Sequence, residues 1–189
     1  MRARIRYRVG QFWHGLQASV APGERCQIAA ILTPAALDLF DRMPVDAQRH
    51  SLNVLQTLRS AGHAQADLWV AALLHDVGKL AAEEAGVRLG LWLRGPLVLA
   101  EAVAPAFVRR LAVHHPDGGW RYALHVHLEH PRIGSDWAQA AGCSALTCWL
   151  IEHHQDAGVS QASPGAPSDL PDGAPSQLLV ALQWADGQN

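Results

Sequence analysis

The chain is 189 residues long, sets 15 Lys and Arg against 17 Asp and Glu for a formal net charge of −2, and is 49% hydrophobic. That length predicts one domain with a sizeable core. The composition excludes disorder along the whole chain, a strongly basic nucleic-acid surface and an acidic tail. Cys26, Cys143 and Cys148 form neither a CxxC pair nor an even set, so buried structural thiols in a reducing cytoplasm are expected.

Residues 1–32 are expected to be an N-terminal arm and lead-in, and residues 33–189 a helical domain. The start, Met1-Arg2-Ala3-Arg4-Ile5-Arg6-Tyr7-Arg8, reads as a solvated arm; arginines interrupt every early apolar run, so no signal peptide is readable. Thr33-Pro34 predicts a helix start, with Thr33 as N-cap and Pro34 in the first turn, and Leu37 and Phe40 facing inward. A second helix is expected from Asp46 to Gly62, built on Val54, Leu55 and Leu58, with Asp46 as its cap or as an extra acidic ligand. A third covers about 66–77. Its Leu68, Ala71, Ala72 and His75 follow the i, i+3, i+4, i+7 spacing, so His75 points where core residues point, and Gly78 ends it.

Between Ala81 and Trp120, two or three helices are expected, broken by Gly86, Gly95-Pro96 and Pro116, with a turn at Asp117-Gly118-Gly119. The apolar stretch 89–113 holds Arg94, Glu101, Arg109, Arg110 and two prolines, too many interruptions to span a bilayer. A further helix is expected over Arg132–Ala141, closed by Gly142, and another capped by Ser144 that carries Leu146, Leu150, His153 and His154. Residues 156–176 are rich in Gly, Pro, Ser and Asp and read as a mobile loop. Ser176 is expected to cap a last helix with Leu179, Leu182 and Asp186 on one face. Alternating strand patterns are nearly absent. The predicted fold is all-α.

Eleven histidines, most of them after residue 49, are the compositional anomaly, because imidazole is the commonest metal ligand. His75-Asp76 closes the apolar run Ala71-Ala72-Leu73-Leu74, where an unpaired buried charge would cost several kcal/mol. A divalent cation offsets that cost by balancing the carboxylate and taking the imidazole lone pair.

The run His75-Asp76-Val77-Gly78-Lys79 resembles the HD-x-G-K version of the HD superfamily of metal-dependent phosphohydrolases. The resemblance covers roughly Asp46 to Asp186, with His50 as the upstream histidine and Asp186, in Trp184-Ala185-Asp186, as the distant acid. It implies an HD-type helical bundle. His130-Pro131-Arg132-Ile133-Gly134 and Ile151-Glu152-His153-His154 are similar to the HP-x-x-G and I-x-x-HH segments of the HD-GYP branch. That similarity implies a binuclear ligand set of His50, His75, Asp76, His130, His153, His154 and Asp186, with Asp76 bridging two ions and Lys79 on a substrate phosphate. The donor set lacks thiolate and suits Fe or Mn ahead of Zn.

His115-Pro116-Asp117-Gly118-Gly119 fits the HP-x-x-G pattern too; His130 is preferred, since one helix separates it from His153. His114, His125 and His127 are expected in turns or at the surface, His14 and His63 as structural or exposed, and Trp69, Trp137, Trp149 and Trp184 as core. No Gly-Tyr-Pro follows His153-His154, which argues against cyclic dinucleotide turnover. The expected function is hydrolysis of a nucleotide-like phosphate ester through a metal-bound hydroxide, with Lys79 and Arg132 balancing negative charge. The alternative is a metal-binding regulatory module without turnover. Little chain follows Asp186, which leaves room for a surface shared in a homo-oligomer.

Overall fold

The structure, a computed structural model, describes residues 19–87, 105–156 and 173–189. Among them there are helices and two 3-10 turns and no strand, so the fold is all-α. The expected turns at Gly95-Pro96, most of the 156–176 loop, the basic start and His14 lie outside the described residues.

Helix α1 (Pro22–Ile31) lies within the expected lead-in and puts Ile28 into the core. Glu24 and Arg49 pair across to a later helix; the guanidinium, then the Ala21 amide, holds the Glu24 carboxyl down at about 2. Helix α2 (Pro34–Arg42) begins as expected: the Thr33 hydroxyl accepts from the Ala36 amide, and Phe40 is buried. Helix α3 (Val45–Ser60) turns a stripe of Gln48, Ser51, Leu52, Val54, Leu55 and Leu58 inward. Its N-cap is Pro44, and Asp46 sits exposed in the first turn, neither capping nor in either candidate ligand group. Gly62 takes φ 88°, the left-handed conformation that closes the helix.

Helix α4 (Ala66–Leu74) is apolar nearly all round, as its sequence Ala-Asp-Leu-Trp-Val-Ala-Ala-Leu-Leu requires of a central helix. Leu68, Ala71, Ala72, Leu73 and Leu74 are wholly buried, packed by α1, α2 and α3 and by helices later in the chain. It ends at Leu74, earlier than expected. A 3-10 turn (Val77–Lys79) and the short α5 (Leu80–Glu84) follow, so Gly78 lies inside the turn rather than ending a helix. Helix α6 (Pro105–Leu111) leads to a second 3-10 turn (Pro116–Gly118), and Gly119 at φ 57° redirects the chain as the Asp-Gly-Gly run predicts.

Helix α7 (Trp120–Ala140) begins well before the expected start at Arg132 and runs on through Pro131, which is buried within it. His125 and His127, expected in turns or at the surface, lie on this helix, half-buried. Its Gly134 meets the 77–79 turn: a Cβ there would lie 3.2 Å from the Gly78 nitrogen and 3.3 Å from Ile151. Helix α8 (Ala145–His153) is capped by Ser144 as expected, and α9 (Ala174–Gln188) closes the bundle. The cap of α9 is Gly173 at φ 81°, not Ser176, which is buried one turn in.

Two further expectations change. Trp184 is 46% exposed on the outer face of α9 rather than core. Cys26 is exposed, and Cys143 and Cys148 are only half-buried, where burial pushes the Cys143 thiol up to about 11. Among the described residues no helix is long and apolar enough to cross a membrane.

Candidate metal centre

Four helices and one turn converge on a carboxylate. His75 is the residue after α4, and Asp76 opens the 3-10 turn. On a continuous helix, neighbours point about 100° apart; the change of backbone here lets both face one point. His50 comes from α3, His130 from α7, His154 from the end of α8 and Asp186 from the last turns of α9.

Asp76 faces two ways. Its Oδ2 lies 3.7 Å from His75 Nε2 and 2.6 Å from Lys79 Nζ. Its Oδ1 lies 3.4 Å from His130 Nε2 and 3.8 Å from His154 Nε2. On the first side, Asp186 Oδ1 is 2.9 Å from His50 Nε2 and 3.6 Å from His75 Nε2. Two groups of donors result, His50–His75–Asp76 and Asp76–His130–His154, each with ligand atoms within 4.8 Å of one another.

The buried rings share one arrangement. Nδ1 of His75 meets the Ala72 carbonyl at 3.0 Å, that of His130 the His127 carbonyl at 2.8 Å, and that of His154 the Ile151 carbonyl at 2.7 Å. A carbonyl only accepts, so each Nδ1 carries a proton and donates; in the neutral ring the lone pair is then on Nε2. All three Nε2 atoms are buried without a hydrogen-bond partner. An orphaned buried acceptor costs about 1–3 kcal/mol, and three converge here on one carboxylate.

The separations of 3.4–3.8 Å are too long for hydrogen bonds. Two donors each about 2.1 Å from one ion sit roughly 3.0–3.4 Å apart. The cluster therefore fits a divalent cation, with imidazole and carboxylate donors suited to Fe, Mn or Zn.

Electrostatics support the same fit. Burial works against ionising Asp76, yet Lys79, His75 and His130 together hold it well below the usual carboxylate range. Burial likewise opposes ionisation of Asp186, but His50 and His75 keep it ionised. Burial also pulls the His75 ring down; the charges of Asp76 and Asp186 outweigh it, and its affinity for a proton ends up raised. Burial and then the His75 charge push His154 down to about 3, so that ring is neutral. Because its folded value is raised, proton-bound His75 adds stability below about 6.5 that is lost as pH rises through the folded value. Ion binding should therefore expel a proton from His75 below its raised folded value, with affinity climbing as pH rises toward that value. Calorimetric titration of a divalent ion in buffers of different ionisation enthalpy measures that proton, and a buffer-independent heat would contradict it.

Not every expected residue joins the cluster. His153 Nδ1 pairs with Asp156 Oδ2 at 2.6 Å and its ring lies 4.9 Å from that of Trp149; it belongs to neither donor group. Arg132, two residues past His130, points about 200° around α7 from it. There it is 48% exposed, between Glu129 and Asp136 at 3.3 Å each. His115 sits on the exposed 116–118 turn beside Asp117, so His130 and not His115 faces Asp76. The sequence reading missed the backbone acceptors Ala72, His127 and Ile151; their signal is their place three residues before each buried ring.

The family model of the HD domain matches residues 48–187, a span that holds all six clustered side chains. No curated protein and no solved structure matches the chain. The match extends over most of the sequence: the chain belongs to the HD domain family, whose members are generally metal-dependent phosphohydrolases.

Proposed function

We propose that this chain is a binuclear metal-dependent phosphohydrolase acting on a nucleotide-like phosphate ester, a phosphodiester among them. One observation carries the reading: Asp76 presents one carboxylate oxygen to each of two groups of imidazole nitrogens, three of which have no other partner. In this reading His50, His75, Asp186 and Asp76 hold one ion, and Asp76, His130 and His154 hold a second. His153 lies outside both donor groups, its Nδ1 held by Asp156, and is left out of this ligand set. The imidazole and carboxylate donors, with no thiolate among them, suit Fe, Mn or Zn. Bound ions would supply the Lewis acidity that activates water and balances charge on phosphorus.

The chain's own residues set approach and charge. His75, His130 and His154 are closed to solvent, whereas His50, Asp186 and Lys79 are 27%, 34% and 49% exposed, so an ester would enter from their side. Lys79 now balances Asp76; with that carboxylate otherwise balanced, its ammonium is free to meet a phosphate oxygen. Arg132, held by Glu129 and Asp136, is left out of substrate binding. With no Gly-Tyr-Pro after the paired histidines, a linear or simple ester is favoured over a cyclic dinucleotide.

The test is reconstitution of metal-depleted protein with Fe, Mn or Zn, then assay on bis(p-nitrophenyl) phosphate, nucleoside monophosphates and cyclic dinucleotides. Loaded protein with two ions per chain should hydrolyse at least one of the first two. Two bound ions with no turnover on any of them would replace this reading by the regulatory module; no bound ion would remove both.

A further inference from the structure

We infer that Pro131 is a positioning residue for the second proposed ion: because it has no N–H, the His127 carbonyl is left to hold the His130 ring with Nε2 turned to Asp76. The inference rests on the binuclear reading for its consequence and on helix geometry for its cause. In an α-helix each carbonyl accepts from the amide four residues on. A ring that donates from Nδ1 to the carbonyl three residues back therefore competes with the amide of the residue that follows it.

In each of the three buried cases that competitor is missing. After His75 comes Asp76, outside α4, which ends at Leu74. After His154 comes Gln155, beyond α8, which ends at His153. His130 lies deep inside the 21-residue α7, where no helix end can help, and the residue after it is Pro131. Proline is the one residue that removes the amide without ending the chain's course. His50 supplies the contrast. Ser51 follows it within α3 and keeps its amide, and the ring of His50 is held instead through Nε2 by Asp186 on another helix.

The ring of His130 packs beside those of His127 and His154, and the hydrogen bond to the His127 carbonyl is the one that turns Nε2 toward Asp76. Its Nε2 is 3.4 Å from Asp76 Oδ1 and has no hydrogen bond of its own. A partner on the far nitrogen of a ligating imidazole fixes both tautomer and orientation, and loss of such a partner weakens metal binding about 10–100-fold.

The experiment compares wild type, Pro131→Ala, and a variant with lactic acid at 131, which has the alanine side chain but an ester in place of the N–H. Two readouts are taken: imidazole ¹⁵N shifts of His130 in metal-depleted protein, and Mn or Zn bound per chain by equilibrium dialysis. Helical circular dichroism checks folding, and alanine is the better helix former. Pro131→Ala should mix the two tautomers of His130 and weaken the second ion about 10–100-fold while sparing the first; the ester should restore both. An unchanged tautomer in Pro131→Ala, or an ester variant that behaves like alanine, overturns the inference. If wild type binds one ion only, the binuclear reading fails, while the ¹⁵N shifts still decide the role of Pro131.

Discussion

Asp76→Ala should abolish binding of both ions together, whereas His50→Ala and His130→Ala should each remove one. The asymmetry follows from position. Asp76 alone belongs to both donor groups, with Oδ2 toward His75 and Oδ1 toward His130 and His154. Loss of the ions removes several kcal/mol of charge stabilisation in the transition state, and at 1.36 kcal/mol per factor of ten the rate should fall by about 10³-fold or more. The metal-depleted protein should weaken as well. The Lys79 ammonium would lose the carboxylate that balances it, as would the His75 ring below its folded value, and breaking a buried charge arrangement by removing one partner costs about 3–5 kcal/mol. Lys79 is half exposed, which brings the loss to the lower end or below it. Asp76→Asn separates the two effects, since it keeps shape and removes charge. Elemental analysis, hydrolysis of bis(p-nitrophenyl) phosphate and thermal melts with chelator are the measurements. One ion retained at wild-type affinity in Asp76→Ala would show that the carboxylate does not bridge.

The parts of this molecule that were readable in sequence are those set by local physics. Thr33 and Ser144 cap their helices because a short hydroxyl beside a free amide does so wherever the chain leads. Gly62 and Gly119 turn the chain because positive φ suits no other residue as well. The His75-Asp76 pair stands out because ionisable groups at the end of a nearly all-apolar helix need a partner. What was not readable depends on contacts across the fold. Pro131 counts locally as a break, yet α7 runs through it, buried against the 77–79 turn and supported on both sides. Ser176 has the right side chain for a cap, but the chain enters α9 at Gly173, and Ser176 is buried. Arg132 and His130 stand two apart, which on a helix separates them, though a motif read as a string puts them side by side. Core packing is the default for a tryptophan on a helix, yet the buried stripe of α9 runs through Leu178, Leu182 and Ala185 and leaves Trp184 outside.

Gly78→Ala should damage fold and site together, and its magnitude can be argued from distances. A Cβ at Gly78 would lie 2.1 Å from the His130 carbonyl oxygen and 2.7 Å from the Gly134 nitrogen. Both are backbone atoms in the middle of α7, so no side chain can rotate aside. The strain is steric only, since φ at Gly78 is ordinary. Either α7 or the 77–79 turn must shift, and the turn is the shorter element with fewer bonds to hold it. Overpacking of this kind costs about 1–3 kcal/mol and sometimes more, and with backbone on both sides the upper end, about 3 kcal/mol, is expected. For a chain of this length that lowers Tm by roughly 6–12 °C. A lifted turn carries Asp76 and Lys79 away from His130, so the second ion should be lost before the first, whose His50 and Asp186 donors lie on other helices. Gly23→Ala is the control: nothing lies within 4 Å of a Cβ there, and it should leave both Tm and metal content in place. A Gly78→Ala protein that melts with wild type and binds two ions would mean that α7 and the His75-Asp76 turn do not make the close approach on which the second half of the site is built.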